Sequence, residues 1–154
     1  MKKCIALILS LILCFIFTAC SQSGVDVSTD TYSIDEVSEA KVKLSNAYDM
    51  YCNKQLGFAL NRDIDYATLS SDGYTLEIST QPSGLSFYVT EDAGLIMGAI
   101  EDINDYLGLP SSLMSKIENT RAIDGMMSQT SGVYEITWNY HPDNGLTVIY
   151  EINK

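Results

Sequence analysis

YEITWNYHPDNGLTVIYEI, residues 134–152, decides the fold of this chain. Tyr134, Ile136, Trp138 and Tyr140 alternate with Glu135, Thr137 and Asn139, and Leu146, Val148, Tyr150 and Ile152 alternate again beyond the turn. A period of two marks strands that bury one face only. Taking Asp143-Asn144-Gly145 as a three-residue loop, with Gly145 in the left-handed conformation, predicts that Tyr140 faces Val148, Trp138 faces Tyr150 and Ile136 faces Ile152. A slip of one residue would set the apolar row against Thr147, Ile149 and Glu151, so that register is rejected.

A second hairpin precedes it. Tyr66–Ser71 and Tyr74–Thr80 flank Asp72-Gly73, and a two-residue turn there sets Leu69 opposite Leu76 and Ala67 opposite Ile78. Leu85, Phe87 and Val89 alternate as a further short strand. Two main helices complete the pattern. The first opens on Ser33-x-x-Glu36, a capping box, and carries Val37, Ala40, Leu44, Ala47 and Tyr51 at helical spacing towards a stop at Gly57. The second is capped by Thr90, lines up Leu95, Ile96, Ala99, Ile100, Ile103 and Leu107, and ends at Gly108-Leu109-Pro110. A short helix from Ser112 to Glu118 leads through a connection, Thr120–Thr130, into the C-terminal hairpin. Elements apolar on one side only must share a core, so the expected fold is α+β: an antiparallel sheet of four to five strands with two main helices packed on one face.

The N-terminus has a different character. Lys2 and Lys3 precede an apolar run from Ile5 to Phe17 broken only by Ser10, and Thr18-Ala19-Cys20 follows. A positive start, an apolar stretch too short to span a bilayer comfortably and small residues before a cysteine make a secretory signal. This stretch resembles the signal peptide and lipobox of bacterial lipoprotein precursors, with Phe17 where that family favours leucine. The resemblance implies cleavage before Cys20, lipidation of that cysteine and a membrane-anchored protein facing the extracytoplasmic side. Residues 1–19 are then the signal peptide, 20–31 a small polar tether and 32–154 one globular domain. As a flexible coil the tether would hold that domain roughly 20 Å from the membrane.

Two of the nine basic residues precede Cys20, which leaves seven against twenty acidic ones, a net charge of −13 in the mature chain. Nucleic acid as a partner is excluded by that sign, and anionic headgroups are repelled. With Cys4 and Cys14 in the signal and Cys20 lipidated, Cys52 is the one thiol left and no intrachain disulfide forms. Its place in a helical pattern reads as a small buried hydrophobe.

No catalytic constellation assembles on paper. Asn61-x-Asp63-x-Asp65 with Asp72 imitates a calcium loop, but Tyr66 stands where the turn needs glycine and Asp72 belongs to the hairpin. A single histidine, His141, excludes a metal site of several imidazoles, and no cofactor is implied. Glu101, Asp102 and Asp105 lie off the apolar stripe of the second helix and read as a wetted face, and Gly94-x-x-x-Gly98 as an aid to helix–sheet packing. Ten tyrosines exceed what one small core hides, and Tyr66, Tyr74, Tyr88 and Tyr106 are the expected exposed binding residues. The reading is a non-enzymatic binding or interaction module for an envelope protein or small ligand. A small hydrolase using Glu101, Asp102 or Asp105 and an acidic inhibitor or immunity protein are the alternatives.

Overall fold

The computed structural model describes residues 32–56, 66–81 and 90–154. The expected strand at Leu85–Val89, the stop at Gly57, the calcium-loop imitation at Asn61, Asp63 and Asp65 and everything before Tyr32, Cys20 included, lie outside the described residues.

Helix α1 (Ile34–Ala47) starts at the predicted capping box. The Glu36 amide donates to the Ser33 hydroxyl at 3.2 Å, and the Ser33 amide donates to the Glu36 carboxylate at 2.9 Å. Buried Ala40, Leu44 and Ala47 follow the predicted stripe. Beyond Ala47 the chain widens into a π-helix, Tyr48–Leu56. The wider turn takes a five-residue step from Ala47 to Cys52, so Cys52 and then Leu56 enter the core while Tyr51 is only half-buried.

Strands β1 (Ala67–Leu69) and β2 (Thr75–Ser79) form the first hairpin in the expected register, Leu69 opposite Leu76 and Ala67 opposite Ile78. Helix α2 (Thr90–Leu107) and the short α3 (Ser112–Glu118) follow, then β3 (Met127–Ser131), β4 (Tyr134–His141) and β5 (Gly145–Ile152). The sheet has five antiparallel strands in the order β1-β2-β5-β4-β3, so the two hairpins join through β2 and β5. This is the α+β fold that the alternation predicts.

Three details differ. The C-terminal hairpin is paired two residues away from the expected register: Trp138 faces Val148, Ile136 faces Tyr150 and Tyr140 faces Leu146. A two-residue shift leaves every side chain on the same face, so alternation cannot distinguish the two arrangements. The turn does. Asn144 N–H donates to the His141 carbonyl at 3.2 Å, which places Pro142 at the second turn position, where its fixed φ fits and its missing N–H costs nothing. Gly145 takes the expected positive φ, +71°, and a Cβ there would collide with the Thr80 hydroxyl.

Second, the connection before the hairpin contains β3, an edge strand. Ser128, Gln129, Thr130 and Ser131 carry no apolar pattern, and the ladder to β4 holds them. Third, Leu95 is 45% exposed and lies off the buried stripe of α2, which runs from Ala93 to Ile96 and onward.

The core lies between the helices and one sheet face. Leu44, Ile100, Ile103, Leu113, Ile136, Trp138, Val148 and Tyr150 are among its fully buried side chains. Tyr150 donates its hydroxyl proton to Asn104 Oδ1 at 2.9 Å and Trp138 Nε1 donates to Thr120 Oγ1 at 2.7 Å, so each large polar ring has its partner inside. The other sheet face is polar, with Thr68, Glu77, Glu151, Ser128 and Thr130 exposed. None of the helices among the described residues is long and apolar enough to cross a membrane.

Candidate functional site

Of the four predicted tyrosines, the three described ones stand in different settings. Tyr66 is 5% exposed, and its hydroxyl donates to the Asp92 carboxylate at 3.0 Å, so the expectation of an exposed ring is corrected. Standing just before β1, it faces the first turn of α2, and burial of both partners makes this a structural hydrogen bond. Tyr74 is half-buried under two ammonium groups, with Lys41 Nζ 4.4 Å and Lys154 Nζ 4.1 Å from its ring centroid. Tyr106 is 36% exposed and meets Tyr51 edge-on, ring centroids 6.0 Å apart. Tyr88 lies outside the described residues.

The remaining titratable groups are held in structural roles. Burial pushes the Cys52 thiol up to about 12, the opposite of what a nucleophile needs. His141 is exposed at the hairpin mouth, where its Nδ1 accepts from the Asp143 amide at 3.1 Å. Asp72 accepts from the Ser70 hydroxyl at 2.7 Å and the Tyr74 amide at 3.1 Å; these bonds hold its carboxyl below the usual range and spend it on the turn. Glu101 and Asp105 are exposed, and Asp102 accepts from Gln55 at 3.2 Å. A Cβ at Gly94 or Gly98 would meet nothing within 4 Å among the described residues, so these glycines do not mediate close packing there.

Two hollows remain. One, of about 380 Å³, is an open groove between α1 and the β1–β2 turn, lined by Lys41, Ser45, Asn46 and Ser70 to Gly73. Lys41 is drawn onto Tyr74 and Asp72 into its own turn, which leaves few groups free. The other, about 260 Å³ and more enclosed, lies at the opposite end of the sheet, where β2 ends and β5 begins. Leu146 and Ile117 are its buried apolar side chains, with half-buried Met97 beside them; Tyr140 stands at the edge, and Thr80, Thr120 and Glu118 supply the polar groups.

The sequence misassigns Tyr140 as well. Alternation puts it in the core, yet it is 40% exposed. It is the last helix-side apolar residue of β4, beside the turn, and no helix roofs it fully. Its surroundings are apolar too. Met127 pairs with Trp138, shares the helix-side face and is 40% exposed, while Met126 and Ile123 just before it are 65% and 84% exposed. An isoleucine and two methionines in an otherwise polar connection were the available signal. Ile123, Met126 and Met127 thus add exposed apolar side chains before and along β3.

No metal-ligating group of three or more His, Cys, Asp or Glu side chains occurs among the described residues. The chain matches no protein-family model, no curated protein and no solved structure.

Proposed function

We propose that this chain is a membrane-anchored extracytoplasmic lipoprotein whose domain is a non-enzymatic binding module, and that it binds through the pocket beside Tyr140. One observation carries the reading: the pocket and the exposed Met126, Met127 and Tyr140 occupy one end of the sheet, while the chain enters the domain at the other. Tyr32 donates its hydroxyl proton to the Gly132 carbonyl at 2.6 Å, at the β3–β4 turn. The pocket end carries exposed apolar side chains where a ligand can reach them. Pockets with an apolar floor and a few polar groups are the usual ligand sites of small domains.

Two measurements test the two halves. Cys20→Ala should move the protein out of the membrane fraction or leave it as an unprocessed precursor; a native N-terminus at Met1 or an unmodified Ser21 sinks the anchor. A photo-crosslinking residue at position 140 should capture a partner that the same residue at Glu77, on the open sheet face, does not. Equal capture at both positions would remove the pocket from the reading.

The acidic-inhibitor alternative is supported by that open face, where Glu135 stands directly opposite Glu151 and Glu77 is exposed. Like charges paired across strands cost stability in isolation, a cost that a basic partner would offset. Capture at position 77 alone, lost at high salt, would favour it.

A further inference from the structure

We infer that the pocket beside Tyr140 takes an organic cation, a protonated amine or guanidinium carried on an apolar stem. The inference rests on the reading of this pocket as the binding site and adds the chemistry of what enters it.

Protons and lone pairs decide what the pocket can hold. A hydroxyl has one proton to give and two lone pairs to receive. Thr80 Oγ1 gives its proton to the Leu146 carbonyl at 3.3 Å and accepts the Leu146 amide at 2.8 Å. Thr120 Oγ1 gives its proton to the Lys116 carbonyl at 2.8 Å and accepts Trp138 Nε1 at 2.7 Å. Each therefore keeps one lone pair and has no proton left for a ligand. Glu118, exposed and without an ion pair among the described residues, can only accept when ionised. The Met97 thioether is a weak acceptor. Only the Tyr140 phenol among the described lining side chains can donate.

Nearby cations are committed elsewhere. Lys116 Nζ donates to Gln129 Oε1 at 2.7 Å, and Arg121 pairs with Asp124 at 3.0 Å. A site rich in acceptors and poor in donors leaves the oxygens of an anion unsatisfied and sets them against Glu118, whereas an ammonium or guanidinium brings the missing protons. Its stem packs on Met97, Ile117 and Leu146, and the exposed ring of Tyr140 offers a π face to the charge. The mature net charge of −13 draws such ligands in.

The test uses the full lipidated protein in neutral detergent micelles and follows the single indole N–H resonance, since Trp138 bonds to a pocket wall. n-Pentylammonium and n-pentylguanidinium should bind about tenfold or more tightly than 1-pentanol, the factor of one charge-assisted hydrogen bond, and hexanoate should not bind. Glu118→Gln, an exposed change that spares folding, should shrink the advantage of the cations to about threefold or less, while Tyr140→Ala should weaken cations and pentanol alike. If pentanol matches the cations, the pocket stands and the cation inference falls. If no probe shifts the resonance, both fall. A capped Gly-Lys-Gly peptide binding more tightly than pentylammonium assigns the cation to a partner's side chain, and weaker binding assigns it to a free amine.

Discussion

Trp138 and Tyr140 stand two residues apart on β4 and point to the same face, yet one is 1% exposed and the other 40%. Trp138 lies under the end of α3, with its indole N–H bonded to Thr120. Tyr140, one step nearer the turn, lines the pocket and keeps much of its ring in solvent. The same pattern and the same side-chain class thus give a core residue at one position and a partly exposed one at the next. What separates them is how much of each ring its neighbours cover.

Truncation separates the two residues most strongly. Trp138→Ala should cost about 3–5 kcal/mol through lost burial and a residual cavity, a large share of the 5–15 kcal/mol typical of a domain, whereas Tyr140→Ala should cost about 1 kcal/mol or less. Urea unfolding of both variants checks this. Equal losses would mean that Tyr140 belongs to the core after all.

Alkaline titration sharpens the same contrast. Burial raises the Cys52 thiol from 9.0 to about 12, raises Tyr134 to about 12 with Glu39 adding to the effect, and raises Tyr150 as well. These groups stay protonated in the fold at a pH where the unfolded chain has released its protons. Stability is therefore full below about pH 9 and falls as pH rises towards 12, by roughly a few kcal/mol from Cys52. Cys52→Ala should flatten the part of that fall that begins near pH 9; an unchanged profile would show that the thiol is accessible.

Tyr150→Phe is a smaller wedge in the core. It leaves Asn104 Oδ1 buried without its donor and should cost about 1–3 kcal/mol in thermal unfolding, with volume unchanged. Removing a single bond at the boundary comes next: Thr120→Val strips the acceptor from Trp138 Nε1 and should cost about 1 kcal/mol, with a displaced indole N–H resonance. Smallest of all, Thr137→Ala on the open face should stay within about 0.5 kcal/mol. A loss above that would mean that something covers this face.

Much of this was legible from residues alone. Alternation over 134–152, the Asp72-Gly73 turn and the Ser33–Glu36 capping box specify strands, the first hairpin's register and a helix start through local geometry, which needs no knowledge of neighbours. The same holds for the positive φ at Gly145 and the buried character of Cys52. The signal-like N-terminus and the acidic charge likewise belong to the chain itself. Tertiary structure decided the rest. A two-residue register shift is invisible to a period of two, and the Pro142 turn resolved it. β3 is a strand because β4 offers it a ladder, and Tyr66 is drawn into the core with its hydroxyl on Asp92. The pocket is lined from α2, the end of α3, β4 and β5, so Tyr140, Met97 and Glu118 come together from three segments whose local patterns give no sign of one another. Periodicity reports which face of an element is apolar; where the opposing layer ends depends on how separate elements pack, and that boundary made the site.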